Sequence, residues 1–428
     1  MFRFKKVLGD VPIHKDLVLL LVIGGLYALS TALSNTFVNV FLWKQSGDFR
    51  DLGFYNLSVV VLQPLTFILA GRWAKKIDRV IVLRLGVSFL AIFYITVLVF
   101  GERASQFLFV LGGLLGIGYG FYWLAFNVLT FEITEPETRD FFNGFLGLLG
   151  SFAGMIGPIA AGVIISTMES FTGYTVIFGI SLGLFTGAVI LSFFIKGRKA
   201  EGKFLFKRIL AERKNNSNWK YILHAHFFQG IREGTFVFVI SVLVFVATGS
   251  ELALGKFGLI NSGVSFLFYF LATRLIKKKM RKKAILLGGL LLYLSIFAIL
   301  FEVTYARLII YGILIAIAYP IILVPYNSLT YDVIGKAWKV KEMRIEYIVI
   351  REIFLNAGRF VSILLFLAAV TFFDDKQSIP ILLAIVGGGH LIIYFFIRNI
   401  NMPDAKGPVQ SKSAANRKLI EGEGGSTA

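Results

Sequence analysis

Long apolar stretches alternate with short polar connectors along nearly the whole chain. Stretches of about twenty residues, the length a helix needs to cross the hydrocarbon core of a bilayer, fall at residues 17–43, 51–71, 80–100, 104–131, 141–166, 173–195, 221–248, 254–275, 283–301, 306–331, 346–373 and 378–398. The bilayer core offers no water to satisfy backbone groups, so each stretch is expected to be a helix. The pattern predicts an all-α membrane protein with twelve transmembrane helices. One connector, residues 196–220, is longer and basic. It holds Lys196-Gly197-Arg198-Lys199, the Phe204/Phe206 pair and Asn215-Asn216-Ser217-Asn218, and reads as an amphipathic segment followed by a flexible link. The chain thus divides into an N-terminal six-helix bundle over 1–195, a basic cytoplasmic linker over 196–220 and a C-terminal six-helix bundle over 221–400. Residues 401–428 are polar and lack an apolar period, so a disordered cytoplasmic tail is expected there.

The two halves repeat one another. Gly112, Leu114, Ile117, Tyr119, Asn127, Leu129 and Thr130 recur without a gap as Gly312, Leu314, Ile317, Tyr319, Asn327, Leu329 and Thr330, with Glu132 meeting Asp332. Composition alone would give about one or two identities over such a window, so the match points to a duplicated unit. Leu69-Ala70-Gly71-Arg72 followed by Lys75, Lys76 and Arg79 likewise meets Leu271-Ala272-Thr273-Arg274 followed by Lys277, Lys278 and Arg281. An even number of spans per half gives both halves the same orientation. Two pseudo-symmetric six-helix bundles in a membrane make a transporter the first hypothesis.

Composition narrows this further. Hydrophobic residues are 57% and charged residues 16% of the 428, which excludes an ordinary soluble domain. The formal charge of +19 does not mark a nucleic-acid binder, because the cations sit between spans and form no basic face with interleaved aromatics. With both termini inside, only Lys44, Arg50, Arg103, Lys256, Arg307 and Lys376 fall on the outer side. The positive-inside rule then places both termini in the cytoplasm of a multi-pass protein of the cell membrane. The first apolar run is too long for a signal-peptide core, so no cleavable leader is expected. The chain has no cysteine, which removes disulfides and thiolate chemistry. His14, His224, His226 and His390 show no metal-ligand spacing with carboxylates, and no metal or other cofactor is expected.

Several motifs carry a resemblance to the major facilitator superfamily. The family's loop between spans two and three reads G-x-x-x-D-x-x-G-R-[RK]. Here Gly71-Arg72-Trp73-Ala74-Lys75-Lys76-Ile77-Asp78-Arg79 keeps the first Gly and a terminal Arg but carries Lys75 at the acid's place. Glu132, Arg139 and Gly144 are similar to the family's acid, Arg and Gly between spans four and five. Gly144, Ala153, Gly157, Pro158, Ala161 and Gly162 fall on the antiporter pattern G-x8-G-x3-G-P-x2-G-G of span five, with Ala twice replacing Gly. Small residues at this spacing let helices pack closely. The chain is also similar to uncharacterised facilitator transporters of spore-forming Gram-positive bacteria. The resemblance implies alternating access and leans toward an efflux antiporter.

Charged side chains deep in a span cost about 2.5–3.5 kcal/mol each on insertion scales, so they mark function by default. Gln229, Arg232 and Glu233 lie well inside span seven, with Gln229 and Glu233 on one face. Glu233 is the expected proton-coupling carboxylate, with Arg232 its modulating partner. Arg359, with Asn356 nearby, is expected either to bind an anionic group or to neutralise a span-seven carboxylate. Tyr119, Trp123 and Asn127 follow i, i+4, i+8 on span four and are partly recreated by Tyr319 and Asn327, making a cavity face or a helix-crossing surface. Asn35, Asn39 and Gln63 are further cavity candidates. Glu132 and Asp332 sit where the helix dipole disfavours acids. They are expected to pair with cations among Arg72, Lys75, Lys76, Arg79, Arg139, Arg274 and Lys277 and so close a cytoplasmic gate. Pro320 and Pro325 make span ten the expected bending helix.

No nucleotide-binding motif appears, and Glu233 alone offers an enzyme-like group at depth, so an enzyme is not expected. The sequence reads best as a proton-coupled transporter, monomeric, exporting an amphipathic small molecule. A lipid or glycolipid flippase and a non-transporting sensor or assembly partner are the alternatives.

Overall fold

The computed structural model describes residues 15–134, 136–169, 171–197 and 202–401, without the side chains of residues 131, 136–141, 143 and 144. The tail from 402 onward and His14 therefore lie outside the described residues, as do the Arg139 side chain and the surroundings of Gly144. Among the described residues the regular structure is entirely helical. The helices are α1 (Lys15–Ser46), α2 (Phe49–Ala74), α3 (Arg79–Phe100), α4 (Leu108–Ile133), α5 (Pro136–Thr167) and α6 (Thr172–Ser192), then the short α7 (Phe206–Glu212). They continue with α8 (Ser217–Thr248), α9 (Glu251–Leu275), α10 (Arg281–Leu294), α11 (Phe297–Leu300), α12 (Tyr305–Gly335), α13 (Val340–Phe372), α14 (Asp375–Gly387) and α15 (Gly389–Ile397). Among the described residues, eleven stretches are long and apolar enough to cross a membrane. One of them, Arg79–Thr130, spans 52 residues and holds both α3 and α4, divided by a 3-10 segment at Gly101–Phe107.

Polar connectors set the helix ends. The side chains of Asp48, Asp78, Asn216, Ser250, Thr304 and Asp374 each accept a backbone N–H from the first turn of the helix they precede, satisfying donors the helix leaves open. α12 runs as one helix through Pro320 and Pro325, and neither proline interrupts it. The irregular residue is instead Met343 in α13, at φ −107° and ψ 16°. It follows Glu342, whose carbonyl accepts from Lys75 Nζ at 2.5 Å.

Contacts between helices follow the repeat. In the N-terminal group α2 and α3 pack on α4, α1 packs on α5 and α6, and α3 packs on α6. In the C-terminal group α9 and α10 pack on α12, α8 packs on α13 and α15, and α10 packs on α15. The two groups meet along two main seams, α2 with α13 and α5 with α9. Of the span-five pattern, Pro158 and Gly162 serve the second seam, while Gly157 packs on Ala32 of α1. A Cβ at Gly255 or Gly258 would press on Pro158, and one at Gly162 would stand 2.6 Å from the Glu251 carbonyl oxygen. α7 lies against α13 with Ile209 buried.

Candidate substrate cavity and coupling site

The closest helix crossing in the C-terminal group sets the centre of the site. Gly230 on α8 faces the Leu355 carbonyl on α13, and Gly358 on α13 faces the Phe227 carbonyl on α8. A Cβ at either position would collide with that oxygen. Backbones this close leave the longer side chains one turn further along to meet each other. Glu233 Oε2 accepts from Arg359 Nη2 at 2.6 Å, with the two side chains 13% and 23% exposed. Gln229 Nε2 donates to Glu233 Oε1 at 2.8 Å, and Gln229 Oε1 lies 2.8 Å from His226 Nδ1. On the far side of the imidazole, Thr330 Oγ1 lies 3.4 Å from His226 Nε2. Since an amide oxygen carries no hydrogen, Gln229 Oε1 accepts from His226 Nδ1–H. A row of donors therefore runs along α8 and ends on the carboxylate. Asn356 accepts from Arg359 at 3.5 Å and donates to the Glu352 carbonyl at 2.9 Å.

Arg232 does not join Glu233. It is fully buried and turns toward α12, donating to the hydroxyls of Tyr319 and, at 3.4 Å, Tyr311. Its guanidinium stacks on the Phe236 ring at 4.3 Å. Neighbouring residues of a helix point about 100° apart, which is why a sequence pair need not be a contact pair. His390 is buried against Tyr319, with ring centroids 5.7 Å apart. Tyr269 on α9 is close enough to Glu233 and Tyr319 to interact electrostatically, and Tyr119 on α4 stands in the same relation to Arg359 across the groups.

The N-terminal group contributes an aromatic cavity of about 420 Å³. Tyr27 organises it, stacking on Tyr122 at 4.1 Å and accepting from Trp123 Nε1 at 3.1 Å. Asn35 and Thr31 add polar lining. Asn39 lies just beyond, holding Asn56 through its Oδ1 at 2.9 Å. Gln63 is buried. Asn127 is half-buried and Asn327 exposed, neither within the cavity or the charged cluster. Tyr27 and Tyr269 escaped the sequence reading because isolated tyrosines in apolar helices carry no spacing signal.

At the face bearing the basic loops, Glu132 pairs with Arg79 and Asp332 with Arg281, both at 2.8 Å. These are equivalent pairs of the repeat, and each stays inside its own helical group. The pair that joins the groups is Lys75 with Glu346 on α13, at 3.2 Å and nearly fully buried. The linker shares it, since Leu205 N donates to Glu346 Oε1 at 3.1 Å. The signal for Glu346 was present in the sequence, because Lys75 at an acid's position calls for an acid opposite. Arg72, Lys76, Arg274 and Lys277 are exposed, Arg274 lying over the Phe270 ring at 4.3 Å. At the opposite face Glu251 on α9 accepts from Lys44 at 2.7 Å and from the Tyr174 hydroxyl at 3.0 Å, again joining the groups. Polar bridges thus join the two groups at both faces.

Comparison with known proteins agrees with this arrangement. The pattern of the Major Facilitator Superfamily matches residues 20–341. The chain is 60% identical over 420 residues to the uncharacterized protein YqgE of Bacillus subtilis (strain 168), covering 98% of each. It is 62% identical over 207 residues to an uncharacterized protein encoded in the sodM 3' region of Geobacillus stearothermophilus, covering 48% of this chain and 97% of that one. Among solved structures, the human organic anion transporter MFSD10 superposes with a TM-score of 0.67 at 15% identity, covering 91% of this chain and 100% of that one. The nucleoside transporter NupG gives 0.67 at 13%, covering 90% and 100%, and a bacterial homologue of the iron transporter ferroportin gives 0.65 at 15%, covering 90% and 99%. The chain belongs to the Major Facilitator Superfamily of membrane transporters.

Proposed function

We propose that this protein is a proton-coupled secondary transporter that works by alternating access and exports an amphipathic small molecule. The observation that carries the reading is the largely buried Glu233–Arg359 pair joining α8 to α13, in a protein whose N-terminal group also holds an aromatic cavity. Protonating Glu233 neutralises it and frees Arg359 for another partner. Losing the proton restores the pair, so two protonation states give two arrangements of the cavity wall. The aromatic cavity suits the apolar part of a solute, and the charged cluster suits its polar part.

The two helical groups act in this reading as pseudo-symmetric six-helix bundles that rock about the cavity, with the basic face cytoplasmic in the cell membrane. One chain holds both bundles, so a monomer suffices. The small-residue α5–α9 seam, similar to the antiporter pattern, supports export by exchange with protons. Lys75–Glu346 takes the place of an acid-based latch, which favours a working gate over a non-transporting sensor. The three structural neighbours are an organic anion transporter, a nucleoside transporter and a homologue of an iron transporter, so the shared fold does not choose the substrate.

The test is a thermal-stabilisation screen of amphipathic compounds on purified protein, followed by flux of each binder into proteoliposomes under an imposed pH gradient. Wild type is expected to move a binder with the gradient, and Glu233→Gln to bind it without gradient-driven flux. Equal flux by the variant would remove Glu233 from coupling, and binding without any flux would favour a sensor.

A further inference from the structure

A second cavity, of about 440 Å³, opens at the basic face. It is built from all three parts of the chain. The N-terminal group supplies Lys75 and Arg79, the linker Lys203, and α13 Lys341 and Arg344, while Glu132 and Glu342 are the acids on its wall. Lys75 and Arg79 already have carboxylate partners in Glu346 and Glu132, and Glu342 is approached by Lys339 at 3.7 Å. Among the described residues neither Lys203 nor Lys341 has an ion-pair partner, and both are exposed. The linker is brought in by Gly202, whose φ of +140° suits glycine alone. A Cβ there would stand 3.9 Å from Lys75 Nζ.

Closing this face therefore gathers five cations against three acids, counting Glu346, in one recess. Basic loops alone follow from membrane topology, but such loops have no need to converge on a shared cavity. Like charges brought together from separate bodies oppose closure unless a counter-anion joins them. Lys and Arg side chains converging from several directions suit the oxygens of a phosphate group, which can accept from several donors at once.

We propose that this cavity binds a phosphate-bearing anion that bridges the two helical groups and the linker, and so stabilises closure of the basic face. Lys203 and Lys341 are the residues that answer to the ligand, since the other cations already serve internal pairs or interactions. The site is separate from the central cavity and does not depend on what is transported there.

Purified full-length protein supplies the test. Pyrophosphate is titrated in neutral detergent at fixed ionic strength, with sodium chloride as the control salt, and the thermal midpoint and binding constant are read. In parallel, the protein is placed in nanodiscs of phosphatidylcholine with and without phosphatidylglycerol. Stabilisation by pyrophosphate beyond the chloride control, weakened at least tenfold in Lys203→Gln/Lys341→Gln and retained in Arg72→Gln/Lys76→Gln, supports a soluble phosphate ligand. Stabilisation by phosphatidylglycerol alone, with the same dependence on Lys203 and Lys341, supports a lipid headgroup as the source. No stabilisation in either arm, or equal stabilisation of the Lys203/Lys341 variant, overturns the proposal. Both lysines are exposed and unpaired, so their loss leaves the fold intact.

Discussion

Glu233 and Arg359 are each costly alone in a poorly polar interior, and the 2.6 Å contact between them makes each tolerable. Truncating one leaves the other uncompensated, and the typical cost is about 3–5 kcal/mol. Arg359→Ala should therefore lower the thermal midpoint sharply, whereas Glu233→Gln/Arg359→Gln should recover most of it, since two neutral amides leave no unpaired charge. A double variant no more stable than Arg359→Ala would show that the pair is not the unit of stability. Arg232→Ala is expected to destabilise as well, by leaving Tyr319 and Tyr311 without their donor, while the Glu233–Arg359 contact, which it does not share, is retained. Gln229, Glu233, Arg359 and Asn356 could be named from sequence because polar groups in apolar spans stand out. Which of them touch could not, since Arg232 beside Glu233 is adjacent along the chain and divergent in space. His226, which showed no metal-ligand spacing, is buried and hydrogen-bonded to Gln229.

At the scale of helices, the α8–α13 crossing depends on glycine. Gly230→Ala or Gly358→Ala would drive a methyl group into a backbone oxygen, and backbone has little freedom to yield. Overpacking of this kind costs typically about 1–3 kcal/mol and more where the backbone must move. The expected result is a lower midpoint together with loss of the Glu233–Arg359 contact. Gly147→Ala, where nothing lies within 4 Å, should be neutral. Equal effects at Gly147 and Gly230 would refute the close-approach argument. Helix positions were legible from apolar length alone, because lipid admits few other solutions. The unbroken course of α12 through Pro320 and Pro325 was not legible, since sequence does not tell whether neighbouring helices support a proline-containing turn. The irregular turn at Met343 was equally hidden, as the nearby bond from Lys75 to the Glu342 carbonyl joins residues 267 apart in the chain.

Across the whole molecule, the repeat seen in sequence reappears as repeated packing and as the equivalent pairs Arg79–Glu132 and Arg281–Asp332. The bridges between groups break that symmetry, with Lys75–Glu346 at one face and Lys44–Glu251 at the other. Lys75 in an acid's place called for an acid opposite but did not say which, and Lys44–Glu251 gave no signal, because each bridge depends on how two separately coded units dock. Reversing the first pair as Lys75→Glu/Glu346→Lys should restore flux and stability that either single reversal removes. Recovery absent in the double variant would show that the contact does not join the groups in the working protein. The chain has no cysteine, so engineered cysteines report only where they are placed. The most direct test of proton-driven alternating access is spin-label distance measurement on two such pairs, Lys76→Cys with Lys278→Cys at the basic face and Arg103→Cys with Lys376→Cys at the opposite face. Lowering the pH is predicted to lengthen one distance while shortening the other, and Glu233→Gln to abolish that response. Two distances that change together, or an unchanged response in Glu233→Gln, would contradict it.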